Sequence, residues 1–422
     1  VMIDSAGSDT FEAWPNLATM TFESGNVVHA NDFRDVHGIA MNGAMNGGAD
    51  TADLYGVSGQ RDKFESYADR SMAYGSDFYS QAKYFDVVNL NSVHSDGEKA
   101  VMIDSAGADT FEARPNLATM TFESGAVVYA NDFRDVYGIA MKGGTDTADL
   151  YGSSGQQDSF EGRPDESMVY GSDFYSGARY FEIVNLNSVH SDGETALLHD
   201  SDASDTFEAW PDLATMTFDS GAIVSANDFR YIHAISKPTH SFPDTAMLHG
   251  RNGSPDTFTG TPTEAKMEGS DYLVRAEYFD SVKAEATVGD GDEAYLVGSP
   301  DLYDYFIGRL ADPYHNNESY ANLYGFGFSN EAIYFDKVFA DAGSGGIYDR
   351  AILSDSADPD TLETGSDWAR LSSAATSYLF EVTGFDYVSA ESTTLGDDDT
   401  VSPGGHLFEL DLLNPDWWEN KP

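Results

Sequence analysis

The strongest constraint on this chain is that it repeats itself, so its fold has to be one unit built many times and stacked on its own copies. Val1 to Met41 and Val101 to Met141 differ at only a few positions, among them Trp14 against Arg114, His29 against Tyr129 and His37 against Tyr137. A third version starts at Leu197 and keeps Asp205-Thr206-Phe207-Glu208-Ala209 and Leu213-Ala214-Thr215-Met216-Thr217-Phe218. Each of these units of about a hundred residues is a doublet. Four columns of residues align the halves at spacings near 48: Phe11, Phe64, Phe111, Phe160, Phe207, Phe258, Phe306 and Leu362; Met20, Met72, Met120, Met168, Met216, Met267, Leu323 and Leu371; Phe33, Phe85, Phe133, Phe181, Phe229, Phe279, Phe335 and Phe385; and Met2, Leu54, Met102, Leu150, Leu198, Leu248, Leu296 and Leu353. Eight copies result.

Within a copy, apolar and polar residues alternate over short stretches such as Leu117-Ala118-Thr119-Met120-Thr121-Phe122, and Gly, Asp, Ser and Asn cluster between them. A period of two with turn punctuation predicts strands, about four to a copy, and sustained helical spacing is missing. One copy buries little alone, whereas stacking turns each Phe, Met or Leu column into a continuous apolar ladder. The expected fold is all-β, a parallel β-solenoid of about eight 48-residue repeats. An eight-bladed β-propeller is the alternative, since four strands also make a blade. Drifting copy length between Phe258 and Phe335 favours the linear stack. The expected organisation is regular repeats over 1–294, divergent aromatic-rich repeats over 295–396 and a cap or docking tail over 397–422.

Against 72 acidic side chains stand 22 basic ones, a formal charge of −50. A surface so acidic repels a phosphate backbone, which excludes nucleic acid as a partner, and it is tolerated best where cations screen or bind it. Cysteine is absent, so packing, hydrogen bonds and bound cations have to supply the stability. No apolar run approaches the roughly 18 residues that cross a bilayer. The sequence opens inside a repeat with no signal peptide before Val1, the expected form of a piece of a longer polypeptide.

Asp104-Ser105-Ala106-Gly107-Ala108-Asp109-Thr110-Phe111, followed by strands of the Tyr180-Phe181 type, resembles the long repeat arrays of large secreted or surface proteins of planctomycete bacteria. The resemblance covers nearly the whole chain up to about Gly396. It implies an extracellular or cell-surface location and no established catalytic activity. A weaker similarity is to the calcium-binding RTX nonapeptide: Gly107, Asp109 and Phe111 fit its pattern, while Asp104 and Ser105 replace its first two glycines.

Two places before each first-column residue stands an Asp, giving Asp9, Asp62, Asp109, Asp158, Asp205, Asp256, Asp304 and Asp360, often with a second Asp nearby, such as Asp104. These are hard oxygen ligands at the mouth of a turn, and calcium is the expected ion at Asp9, Asp62, Asp104, Asp109, Asp158, Asp205, Asp256 and Asp360. The competing reading is that the Asp caps the turn by accepting backbone N–H bonds. No catalytic residue is expected. A reaction centre is built once, and the histidines are exchanged between copies, His29 becoming Tyr129 and Ser225. A polysaccharide lyase on a β-helix needs a basic cluster, which the scattered Lys and Arg do not form.

What is singular lies near the C-terminal end: aromatics including Tyr303, Tyr305, Tyr314, Tyr320, Tyr324, Phe326 and Phe328, then a tail containing Phe408, Leu410, Trp417 and Trp418. An open sheet edge has to be covered, so the tail is expected to be a cap, or else a docking strand for a neighbouring subunit with those four residues as the interface. The expected function is a structural repeat protein that self-associates head to tail in a cell-surface fibre, sheath or matrix. The alternatives are a calcium-dependent adhesin or glycan-binding module that takes surface polysaccharide, and the lyase.

Overall fold

The computed structural model describes residues 1–40, 48–92, 97–188, 193–237, 242–300, 303–312, 318–344, 348–373, 377–392, 399–402 and 409–413. All regular structure among them is β, and no described helix is long and apolar enough to cross a membrane. Contacts divide the chain into two units, Val1–Leu197 with Ser220–Phe229, and Leu198–Asp219 with Arg230–Pro422.

A copy holds five strands, where the sequence predicts about four. In the third copy they are Lys99–Ile103, Thr110–Arg114, Leu117–Thr121, Val127–Asn131 and Asp135–Ile139. The miscount arises at the Phe column, where Phe133 closes a tight bend that separates two strands. The middle three form an antiparallel meander in one sheet, Thr110 facing Thr121 and Leu117 facing Asn131, while the first and last strands belong to the other sheet. In the next copy the arrangement is exchanged: the meander Ser159–Gly162, Glu166–Tyr170 and Tyr175–Arg179 joins the sheet that held the outer strands, and Thr147–Tyr151 and Ile183–Asn187 join the other. The structural period is therefore two copies. Residues one copy apart occupy opposite sheets and residues two copies apart occupy the same one, which is why the sequence repeats more faithfully at about a hundred residues than at 48.

Copies join through parallel ladders. Val87–Asn91 lies between Thr51–Tyr55 and Val127–Asn131, parallel to both, and Thr110–Arg114 runs parallel to Thr147–Tyr151. Only the central strand of each meander runs against the rest. The same plan fills the second unit, where Ser281–Glu285 lies parallel to Thr245–His249 and to Phe328–Ile333, and Lys337–Asp341 lies parallel to Glu293–Val297 and to Leu379–Thr383. Each unit is thus a parallel β-solenoid of stacked coils. This overturns the propeller alternative, because propeller blades pack face to face without sharing a ladder.

The strands alternate buried and exposed side chains, and the buried set forms the core between the sheets. First-column phenylalanines meet the Phe of the next copy: Phe11 with Phe85, Phe64 with Phe133, Phe111 with Phe181 and Phe160 with Phe229, at ring-centroid distances of 4.8 to 6.0 Å. Phe207 with Phe279 and Phe258 with Phe335 continue the series in the second unit. Burial of one such ring contributes about 2–3 kcal/mol. Gly38 and Gly138 leave room for the rings, since a Cβ there would lie 2.5 Å from Phe11 or Phe111. Directly before the Phe, each copy turns through a left-handed residue: Asp32, Tyr84, Asp132, Tyr180, Asp228, Tyr278, Tyr334 and, last, Gly384. A tyrosine there is uncommon. The amide of Tyr84 is fixed by the carbonyl of Asp69, and that of Tyr180 by the carbonyl of Asp165, both at 3.0 Å.

Candidate functional site

Where the chain turns between sheets, backbone N–H groups leave the ladder and need other acceptors. Carboxylates supply them. Asp9 Oδ2 accepts from the Ser5 amide at 2.5 Å and Oδ1 from the Glu23 amide at 2.8 Å. Asp109 receives the amides of Ser105 and Glu123, and Asp205 those of Ser201 and Asp219. Val57 donates to Asp62, Ser153 to Asp158, Arg251 to Asp256, Ser299 to Asp304 and Ser356 to Asp360. Every acid in this column is buried. Asp104 Oδ2 accepts from the amides of Met141 and Lys142 at 2.7 and 2.6 Å. The turn-capping role foreseen for these residues is therefore present in each of them.

A second acidic column, which sequence reading missed, caps the first. The amide of Asp9 donates to Asp50, that of Asp109 to Asp146, Asp158 to Glu194, Asp205 to Asp244, Asp256 to Asp292, Asp304 to Asp349 and Asp360 to Asp399, at 2.6 to 3.0 Å. A third acid takes the amide of the second: Asp86 for Asp50, Glu182 for Asp146, Asp280 for Asp244, Asp336 for Asp292 and Asp386 for Asp349. Each relay crosses from one copy to the next. A signal was available, since the second column stands four places before the Leu or Met of the fourth, as Asp50 before Leu54 and Asp146 before Leu150.

Burial, with neighbouring carboxyls beside it, raises the affinity of several of these acids for protons. Burial, with the neighbouring carboxyls of Asp4 and Asp86, pushes Asp50 up to about 6, against the pull of the Asp9 amide. Burial likewise raises Asp146 and Asp292 to about 6, and raises Asp200, Asp256, Asp304, Asp349 and Asp360 above the usual carboxylate range. Three buried trios have ligand oxygens within 4.8 Å of one another: Asp4 with Asp9 and Asp50, Asp200 with Asp205 and Asp244, and Asp355 with Asp360 and Asp399. Of the acids expected to bind calcium, Asp9, Asp205 and Asp360 enter a trio; among the described residues Asp62, Asp104, Asp109, Asp158 and Asp256 do not.

One strand of the first unit has a single described neighbour. Strand Val27–Asn31 pairs with Leu17–Thr21 on one side, and no described strand pairs with its other edge. Phe33 is 60% exposed, Val28 48% and Ile3 53%, whereas Phe133, Val128, Phe229 and Val224 in the same columns are at most 2% exposed. Of the residues expected at the C-terminal end, Phe408, Trp417 and Trp418 lie outside the described residues. Leu410 lies in strand Glu409–Leu413, facing Val388 across a parallel pair.

On the outer surface Trp14 stacks on Tyr55 at 3.7 Å, with planes 4° apart. A groove of about 650 Å³ opens beside it, lined by Trp14, Leu17, Val57, Gln60, Asp77 and Phe78. At the same position the third copy lays the Arg114 guanidinium 3.9 Å over Tyr151, and the fifth stacks Trp210 on His249. Several described Arg and Lys side chains pair with acids of the same surface, as Arg179 with Glu166, Arg275 with Glu264 and Lys337 with Glu293. Comparison with known proteins found no matching family model, no matching curated protein and no matching solved structure.

Proposed function

We propose that this protein is a structural repeat subunit of an extracellular or cell-surface assembly, extended end to end by the contact that joins its own copies. One observation carries the reading: each copy is completed by parallel pairing with its neighbours, as Val87–Asn91 is between Thr51–Tyr55 and Val127–Asn131. A face whose complement is the repeat itself fits self-association better than recognition of an unrelated ligand. The acidic columns agree, because their carboxylates are engaged in closing turns. The test is sedimentation velocity over a wide concentration range at high ionic strength, where the charge is screened. The wild-type chain is expected to associate and Phe33→Asp to remain monomeric. Association that Phe33→Asp leaves intact would defeat the proposal.

A glycan-binding module is the second reading, and the Trp14–Tyr55 stack beside its groove favours it, since flat aromatic faces suit sugar rings. Calcium at the buried trios is compatible with both readings, since three converging carboxyl groups offer hard oxygen ligands. The lyase reading draws no support from the geometry, as several of the basic groups are engaged in separate surface ion pairs.

A further inference from the structure

The groove beside Trp14 has a counterpart in the second unit, and the two differ at the side chain that crosses them. Trp14-Pro15-Asn16-Leu17 joins two strands of a meander, as Trp210-Pro211-Asp212-Leu213 joins two strands of another. The amide of Val57 donates to Asp62 as that of Arg251 donates to Asp256. The amide of Gly75 donates to the carbonyl of Phe78 as that of Gly269 donates to that of Tyr272, so Val57 and Asp77 hold the places of Arg251 and Asp271. In the second unit the Arg251 guanidinium reaches Asp212 and Asp271, at 3.1 Å each, and ties the two turns together. In the first, Val57 carries no charge and Asn16 replaces one of the acids, so the bridge is missing and a groove of about 650 Å³, a usual size for a ligand site, stays open. The exposure of its wall is shared by copies in the middle of the chain: Trp14 and Leu17 are 41% and 38% exposed, Trp210 and Leu213 37% and 38%, and Leu117 39%.

The lining of the open groove suits an uncharged sugar. Trp14 lies against Tyr55 and its N–H donates to Glu12 Oε1 at 2.7 Å, so the indole is fixed and gives the groove apolar ring surface. Leu17 and Val57 extend that surface. Ser76 Oγ stands 3.3 Å from Gln60 Oε1 and 3.0 Å from Asp77 Oδ2, which sets an amide and a carboxylate side by side as partners for hydroxyl groups. Asp77 is the only charged residue lining the groove, so an anionic sugar would meet repulsion and no counter-charge. A hexopyranose carries C–H groups on its ring faces and hydroxyls around its edge, which match these two kinds of surface. We propose that the groove beside Trp14 binds an uncharged hexopyranose segment of a polysaccharide, and that Arg251 keeps its counterpart shut. The proposal rests on the glycan-binding reading above and assigns that reading its site and its class of sugar.

Isothermal calorimetry on the full chain tests both parts, with laminarihexaose, cellohexaose and mannohexaose as neutral probes and hexagalacturonate as the acidic one. Wild type is expected to give saturable heat with at least one neutral probe, at about one site per chain, and none with hexagalacturonate. Asn16→Asp with Val57→Arg installs the bridge of the second unit and is expected to weaken that binding at least about tenfold at unchanged melting temperature. Arg251→Val removes the bridge and is expected to raise the number of sites toward two, a gain that misfolding cannot imitate. If the neutral heat survives both Trp14→Ala and the installed bridge, the site lies elsewhere; the proposal falls and the glycan reading stands. Heat from hexagalacturonate that is lost in Trp14→Ala would overturn the class of sugar. If Arg251→Val leaves the number of sites unchanged, the shut counterpart is overturned. No heat from any probe would end the proposal and the glycan reading together.

Discussion

The first and third copies run nearly the same sequence through different surroundings. Val1 to Met41 and Val101 to Met141 differ only at Ser8/Ala108, Trp14/Arg114, Asn26/Ala126, His29/Tyr129 and His37/Tyr137. Their backbones follow the same plan, down to Asp32 and Asp132 at φ 59°. Burial separates them. Strand Val127–Asn131 alternates half-buried and buried, while Val27–Asn31 is exposed at four of its five positions. None of the five differences removes an apolar residue from the contact face. The difference between the copies therefore comes from their described neighbours rather than from sequence.

The sharpest break in that symmetry is at the Phe column. Phe133→Ala empties a fully enclosed site against Phe64 and is expected to cost about 3–5 kcal/mol, whereas Phe33→Ala should change stability by less than about 0.5 kcal/mol. Urea titration of dilute protein measures both. A large loss for Phe33→Ala that grows with protein concentration would mean that the ring is covered in solution, and would bring the two copies back into line.

A smaller difference is expected at the turn acids. Asp109→Ala removes the acceptor for the amides of Ser105 and Glu123, and leaving both unpaired in a buried turn should cost about 2–4 kcal/mol. Asp9→Ala removes the same two bonds in the first copy, where Ser5 is exposed and Ser105 of the third copy is half-buried, so water reaches the freed amide more readily. A loss of about half as much is expected by the same measurement. Equal losses would show that the first copy is as rigid as the third.

Much of this was legible in the sequence. The first-column phenylalanines are core, the alternation is strand, and the Asp two places earlier closes a turn, because each depends on residues close in the chain. The sheet exchange between copies was not legible, since a period of two reads the same in either sheet. Nor was the antiparallel middle strand of each meander. The second and third acids escaped for a different reason. Asp146 meets Asp109 across 37 residues through a register that only the parallel pairing sets, and in a chain with 72 acidic residues one more column does not stand out.

The acid relays respond to pH alike in the two copies, since Asp50 behind the first and Asp146 behind the third are both raised to about 6. A folded-state pKa above the ordinary value of about 4 means that the folded chain holds the proton more tightly than the unfolded one. That contribution is fully present below about pH 4 and is lost as pH rises through about 6. Melting temperature in low salt without divalent ions is accordingly expected to fall by a few degrees between pH 4.5 and 7, and Asp146→Asn to flatten the slope. If an ion occupies the trio of Asp4, Asp9 and Asp50, millimolar calcium will restore the loss at pH 7 and not at pH 4.5, and Asp50→Asn will abolish that rescue. No calcium response at pH 7 would leave the trio a proton-holding joint alone.

The smallest effect on stability, and the most direct on function, is expected where the copies differ by design of sequence rather than by position. Trp14 on Tyr55 and Arg114 on Tyr151 both cover a tyrosine ring, so Trp14→Arg exchanges one stack for another already present in the fold. It should alter stability by less than about 1 kcal/mol, because the site is exposed and each arrangement contributes a similar amount. Sugar binding would respond otherwise: a guanidinium offers charge and hydrogen bonds, but not the broad apolar face that a pyranose ring covers. Isothermal calorimetry against a panel of acidic and neutral polysaccharides, with melting curves as control, separates the two. Saturable heat lost in Trp14→Arg at unchanged melting temperature would make the groove a glycan platform that the third copy has given up. Heat that survives the substitution would place sugar binding away from Trp14, and leave the first copy distinguished from the third by its surroundings alone.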